Sequence, residues 1–258
     1  SKAGFIISDK ISLAWLEKTS NPYLNEIREY HTILKTSGVF TLNLSYEWGC
    51  TTSVMNTKSG PVMTRVLDWP FPAMDDAMVV AHQRGPAGDF YNVTWPGLAG
   101  VFNGVAEKRF SAALNQAPMR RSRLGILPSD WLKNRLKFNT MTGLPPAHLL
   151  RHVMETAKDY DQAKHMLCDT PVAIPVIYIL SGVKNGEGCV IERTENNAVV
   201  REMEHGRVSA SNHFQSDIGH GSRWKARRDC SYPRAIAGQN INIKDINDSF
   251  TWFKDPIA

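Results

Sequence analysis

The order of segments along the chain predicts a layered α+β protein. Three observations carry that expectation. Apolar residues at three- and four-residue steps fill the first forty residues and return between 145 and 170. Short strand-like runs form two blocks, one before and one after that second helical stretch. Within each block the runs are separated by turn residues, as antiparallel neighbours are. Two antiparallel sheets packed face to face and covered by helices, an αββα stack, fit this order. An ordinary α/β sandwich fits the pattern as well.

The elements follow in sequence. "KISLAWLEKT" and "LNEIREYHTIL" read as helices, divided at Asn21-Pro22 because the residue before proline resists the α region. From Val39 the character turns to strands. "CTTSVMN" and "PVMTRVLDW" flank "TKSG", a hairpin turn with glycine at its end. "AMVVAHQ" and "FYNVTW" are further short strands, and "GLAGVFNG" pairs with "RFSAALNQ" across the charged turn "VAEK". "PPAHLLRHVMETAKD" has proline in its first turn, and "DYDQAKHMLCDT" opens on a capping aspartate, so both read as helices. Four strands follow in "VIYILSG", "GCVIERT", "AVVREME" and "RVSASNHF", with Asn185-Gly186 and Asn196-Asn197 as turns. A last helix starts near Arg234. The chain shows no internal repeat, low-complexity tract or linker.

Bulk properties narrow the function. At 258 residues, with 42% hydrophobic and 21% charged residues, the chain is long enough to bury a sizeable core. The net charge of +5 hints at acidic partners, yet the basic residues are scattered. The densest cluster, "GSRWKARRDC" (221–230), has the charge to touch phosphates, but no nucleic-acid motif accompanies it, so it reads as a solvated loop and no nucleic-acid partner is expected. No run reaches the roughly 18–20 apolar residues a membrane span needs. The start, "SKAGFIISDK", carries no intact signal peptide, although earlier removal of one would leave the same start, and the compartment stays open. The sequons at Asn43, Asn92 and Asn247 matter only in a secreted eukaryotic setting. Cys50, Cys168, Cys189 and Cys230 are widely spaced with no C-x-x-C pair, which argues against a zinc cage or a dithiol couple. No cofactor or metal is implied.

Cys50 stands apart from the other thiols by its setting. It follows Gly49, precedes two hydroxyl residues, and opens a strand whose hairpin partner returns Arg65 and Asp68 beside it. A thiolate needs a nearby positive charge near neutral pH. Two readings stand here: a small buried residue, or a nucleophile. A nucleophile needs a base. His213 in "SASNHFQ" is the best-placed histidine, although a lone histidine at a strand end is more often structural. A break before Cys50 supplies another base, the new α-amine, whose ordinary pKa is near ~8. Gly49, without a side chain, would leave the scissile carbonyl open to the thiol.

"GCTTSVMNTKSGPVMTRVLDW" resembles the nucleophile hairpin of the N-terminal-nucleophile (Ntn) amidases within the linear amide C–N hydrolase superfamily. It is most similar to the acid ceramidase and N-acylethanolamine acid amidase group, related to choloylglycine hydrolases and penicillin V acylases. The likeness continues in register through "GLAGVFNGVAEKRFSAALNQAP", "DYDQAKHMLCDTPVAIPVIYILSGVKNGEGCVIERT" and "SNHF", from about Val39 to Arg234.

The resemblance implies a four-layer αββα Ntn sandwich, with an N-terminal helical segment, 1–49, cut from a catalytic part, 50–258, within one structural unit. It implies Cys50 as the self-exposed nucleophile with its α-amine as base, Arg65 beside the thiol, and Asp68 as acceptor for the α-amine. Asn115 would help form the oxyanion hole and Asn212 would be a second active-site asparagine. Arg234 would close the set, with Arg223, Arg227 and Arg228 as rivals. Gln116 stands where ceramidase-like members have a glutamate. The implied reaction is hydrolysis of a linear non-peptide N-acyl amide through a Cys50 thioester. An acyltransferase using the same acyl-enzyme, or a catalytically dead Ntn-fold binding protein, are the alternatives. The apolar loops "PFPAM" and "TWPGLAG", with Trp48, Trp69 and Trp95, favour a small-molecule substrate with an apolar acyl group. Oligomeric state is left open.

Overall fold

The computed structural model describes residues 2–45, 49–68, 76–121, 133, 140–218, 224–225, 231–243 and 252–257. Trp48, Trp69, "PFPAM", Asn247, Cys230 and the rival arginines 223, 227 and 228 lie outside the described residues.

Helices α1 (Lys2–Lys18) and α2 (Leu24–Leu34) form where their periodicity predicts, and the chain breaks at Asn21-Pro22 between them. Their inner faces bury Trp15, Leu16, Tyr23, Leu24 and Ile27 against Val39, Phe40 and Leu44. The expected switch to strands at Val39 does not occur there. Val39–Leu42 is instead a short helix, α3. Its β-branched and aromatic residues favour a strand, but the carboxylate of Asp9 in α1 overrides them by capping the turn. Asp9 accepts the Gly38 N–H at 2.5 Å and the Thr41 N–H at 2.9 Å. Gly38, at φ +103°, supplies the left-handed step into it.

The hairpin β1 (Gly49–Thr57) and β2 (Gly60–Asp68) turns through Lys58-Ser59, with Gly60 at φ +114°. Strands β3 (Val79–Gln83), β4 (Phe90–Thr94), β5 (Asn103–Ala106) and β6 (Phe110–Gln116) follow. The expected strand "GLAGVFNG" is reached only at Asn103. The backbone before it is occupied elsewhere: the Ala99 N–H bonds Asn43 Oδ1 and the Val101 N–H bonds the Ala147 carbonyl. After the two-residue strand β7 (Met119–Arg120) come helices α4 (Pro146–Thr156) and α5 (Tyr160–Asp169). The predicted capping aspartate, Asp159, accepts the Gln162 N–H at 2.8 Å. Strands β8 (Val176–Ser181), β9 (Gly188–Arg193), β10 (Ala198–Glu202) and β11 (Arg207–Ala210) match the four expected runs. The two-residue β12 (Trp224–Lys225) pairs with β7, and α6 (Ser231–Gln239) begins three residues before Arg234.

Strand order is β11-β1-β2 in one antiparallel sheet and β10-β9-β8-β6-β5-β4-β3 in the other. Their facing sides bury Val54, Ile177, Ile179, Val190, Val208 and Ala210. Helix α6 covers the outer face of the small sheet, and α4 and α5 cover the large one. The fold is therefore the expected α+β sandwich. Asn43 and Asn92 are buried, so neither sequon has room for a glycan in the folded chain. No helix among the described residues is long and apolar enough to cross a membrane.

Candidate active site

Strand β1 is the middle strand of the small sheet and is buried on both faces, so its hydroxyl and thiol groups must find partners inside the protein. Alternation along the strand divides them. Cys50, Thr52 and Val54 face the large sheet, whereas Thr51, Ser53 and Met55 face α6. The contacts follow this division. Thr52 meets Asn115 of β6, and Val54 enters the inter-sheet core. Ser53 donates to the Gly238 carbonyl in α6 at 2.8 Å, and Thr51 receives Arg234.

Cys50 is a free, fully buried thiol. Arg65, paired across the hairpin with Thr52, points to the same face, and its Nη2 donates to Cys50 Sγ at 3.4 Å. The rest of the guanidinium is held by the Leu114 carbonyl at 2.7 Å, by Thr52 Oγ1 at 2.8 Å and by Asn115 Oδ1. Burial pushes the Arg65 pKa down from the usual guanidinium range, against the opposing pull of the Cys50 sulfur.

Two further side chains hold the main chain at Cys50. The Cys50 N–H donates to Asn212 Oδ1 at 2.8 Å. Arg234 donates to the Cys50 carbonyl through Nη1 and to Asn212 Oδ1 through Nη2, the latter at 2.8 Å. Asn212 is placed in turn by Ser231 Oγ, which accepts its backbone N–H at 2.9 Å, and by the Gln116 carbonyl, which accepts from its Nδ2 at 2.9 Å.

Cys50, Arg65, Asn115, Asn212 and Arg234 thus converge, but not all as expected. The oxyanion role expected of Asn115 does not match its bonds. Its Nδ2 donates to the carbonyls of Ala210 at 3.1 Å and Ser211 at 3.0 Å, while its Oδ1 accepts from Thr52 and Arg65. Two carbonyls on one side, and a guanidinium and a hydroxyl donor on the other, fix this amide orientation. Asn115 therefore holds Arg65 and ties β6 to β11. Asp68 lies opposite Gly49 at the exposed end of β2. Alternation puts it on the face of Val66, opposite that of Arg65, so it is level with the Gly49–Cys50 peptide rather than with the sulfur.

His213 is not placed as a base for Cys50. Its Nδ1 is spent on Ser231 Oγ at 2.8 Å, its ring stacks on Tyr232 with centroids 3.9 Å apart, and burial pushes its pKa down. Burial pushes Cys189 up to about 12 and also raises Cys168, which keeps both protonated. Sequence reasoning missed Thr52, Ser211 and Ser231 as site-building groups. The signal for Thr52 was the hydroxyl run Thr51–Ser53 inside a strand with no polar face. Among the described residues no cluster of three His, Cys, Asp or Glu side chains is placed to hold a metal ion.

Two facing antiparallel sheets under helices, with a buried cysteine second in the central strand of the smaller one, define an Ntn-hydrolase sandwich. The solved structure of a Caenorhabditis elegans N-acylethanolamine-hydrolyzing acid amidase ortholog shares this fold, with a TM-score of 0.54 at 19% identity over 71% of this chain and 75% of that one. By sequence, the chain is related to the Ntn amidase group. It is 27% identical over 179 residues to the N-acylethanolamine-hydrolyzing acid amidase of Cavia porcellus, covering 67% of this chain and 48% of the relative. It is 34% identical over 129 residues to the acid ceramidase of Mus musculus, covering 48% of this chain and 31% of that one. Residues 135–256 match the family described as acyl-coenzyme A:6-aminopenicillanic acid acyl-transferase. The chain spans at most about half the length of these curated relatives.

Proposed function

We propose that the chain is a cysteine amidase that cleaves the C–N bond of a linear N-acyl amide through a thioester on Cys50. The observation that carries this reading is the grip on both ends of one residue. Arg65 contacts the sulfur, while Asn212 and Arg234 hold the main-chain nitrogen and carbonyl. A structural cysteine requires none of this.

In the proposed maturation, Cys50 Sγ attacks the Gly49 carbonyl carbon and the C–N bond breaks. The acyl group passes to sulfur and the nitrogen becomes the α-amine of Cys50. Water then releases Gly49 as a carboxylate and restores the thiol, leaving segments 1–49 and 50–258. Asn212 already accepts from that nitrogen and remains the acceptor for the amine, with Asp68 level with it on the hairpin. In turnover the α-amine takes the thiol proton, sulfur attacks the acyl carbon, and the proton leaves on the departing amine. Water hydrolyses the thioester. Leu42 and Leu67 pack against the apolar cluster that contains Cys50, Trp95, Leu98 and Phe102, which supports an apolar acyl group. The names of the acid ceramidase and acylethanolamine amidase relatives agree with that substrate class.

The matched acyl-transferase family supports a second reading, in which an amine intercepts the thioester in place of water. Intact-mass measurement tests both. Wild type should give two fragments split at Gly49/Cys50, and Cys50→Ala should stay whole, folded and inactive. Splitting of that variant at the same bond without added protease would overturn the assignment. Product analysis with excess amine separates free acid from new amide.

A further inference from the structure

Glu192 is fully buried in β9, yet it lies outside the set of groups that touch Cys50. Its carboxylate makes four bonds. Oε1 accepts the Gln215 N–H at 2.8 Å and Arg201 Nε at 3.0 Å, and Oε2 accepts the Ser216 N–H at 3.0 Å and Ser216 Oγ at 2.6 Å. Arg201, on β10, passes its Nη2 to the Ser209 carbonyl of β11 at 2.9 Å.

These bonds bracket Asn212. Ser209 lies three residues before it and Gln215 three residues after it, and both are tied to one ion pair on the large sheet. Strand β11 ends at Ala210, so the stretch 211–216 has no ladder to hold it. Burying a carboxylate is expensive unless it is fully bonded, and this one is spent on the backbone of that stretch. We propose that the Glu192–Arg201 pair is a positioning device for Asn212, acting on the backbone around it while Ser231 and the Gln116 carbonyl hold the residue itself. It fixes, from the opposite sheet, the acceptor that holds the Cys50 nitrogen. Its role rests on the amidase reading above: the nitrogen held is the one that becomes the base. The pair touches neither sulfur nor substrate.

The control is Glu195, also buried, whose carboxylate pairs with Arg120 of β7 instead. Glu192→Gln places an amide donor against backbone donors, so the 213–216 stretch should loosen and Asn212 should drift. The expected result is a loss of about 10–100-fold in both self-cleavage and kcat. KM should change less than about threefold, because Asn212 serves the nitrogen rather than the acyl group. Glu195→Gln should lower Tm comparably and leave kcat within about twofold. In an Asn212→Ala background, Glu192→Gln should cost less than about twofold more, since its route to Cys50 is already gone.

A second readout needs no activity. In the uncleaved Cys50→Ala chain, hydrogen exchange at the residue-50 amide should accelerate with Glu192→Gln, while Ile179 in β8 stays protected. Where Glu192→Gln does not fold, Ser216→Ala, which removes the 2.6 Å bond to Glu192 and the 3.3 Å bond its hydroxyl accepts from the Ile218 N–H, carries the same tests with smaller effects. Additive losses, or a fall in Tm with kcat and residue-50 exchange unchanged, would overturn the proposal. A wild-type chain without cleavage or turnover would count against the amidase reading alone, because the exchange experiment still decides the role of Glu192.

Discussion

At the scale of single residues, the site is organised by what each polar group has left to give. Arg65 spends its guanidinium on a carbonyl, a hydroxyl, an amide oxygen and the Cys50 sulfur. Asn115 spends both amide hydrogens on backbone carbonyls, so it is a spacer between the cation and β11. Asn115→Leu, which keeps the γ-branched shape but no polar atoms, should therefore leave Arg65 short of an acceptor and two carbonyls short of donors. At ~1–3 kcal/mol for each unsatisfied buried group, a stability loss of about 3 kcal/mol or more is expected. Denaturant unfolding measures it. A variant as stable as wild type would show that Asn115 is not the tie described. That Cys50, Arg65, Asn212 and Arg234 come together was legible in the sequence through the resemblance of its short motifs to the Ntn amidases. The direction of the Asn115 amide was not, because it depends on carbonyls 95 and 96 residues away.

At the scale of elements, the sequence named most strands and helices because their periodicities agree with their burial. The hairpin β1–β2, the capped helix α5 and the four strands β8–β11 are local decisions. Helix α3 was misread as strand because a carboxylate from another helix decides it. One element contact has direct bearing on the site. Helix α6 approaches β1 so closely at Gly238 that an added Cβ would stand 2.8 Å from Ser53 Oγ and 3.2 Å from Thr51 Cγ2. The same helix carries Arg234, one turn earlier, onto the Cys50 carbonyl. Gly238→Val should push α6 away from β1, costing ~1–3 kcal/mol through overpacking and lowering kcat through the displaced guanidinium. Paired thermal unfolding and kinetics check this. Unchanged turnover would mean that α6 does not set the position of Arg234.

At the scale of the whole molecule, the first 45 residues are fastened to the rest by a buried polar seam. Asn21 Nδ2 donates to His148 Nδ1 at 2.9 Å, and the other ring nitrogen faces Asn43 Oδ1 at 3.4 Å. Arg151 reaches Glu26, Glu155 and the Ala99 carbonyl and lies 4.3 Å from the Tyr23 ring centroid, while the Tyr23 hydroxyl donates to Glu155 at 2.9 Å. His148 must be neutral here, since Asn21 requires an acceptor. Burial, aided by the Arg151 charge, lowers its pKa from 6.5 to about 3. Release of the N-terminal segment opens this seam and returns the imidazole towards its ordinary pKa. Between about 6.5 and 3 the released form therefore binds a proton that the docked form refuses. Docking is strongest above that window and weakens as pH falls through it, by up to ~1.4 kcal/mol per pH unit. After the proposed cleavage at Gly49/Cys50, segment 1–49 should copurify with 50–258 at neutral pH and dissociate progressively towards pH ~4. His148→Gln keeps an acceptor for Asn21 and a donor for Asn43 but cannot titrate, so its fragments should stay together to lower pH. Size exclusion across that range decides the matter: release that is equal in wild type and His148→Gln would remove His148 as the acid-sensitive group.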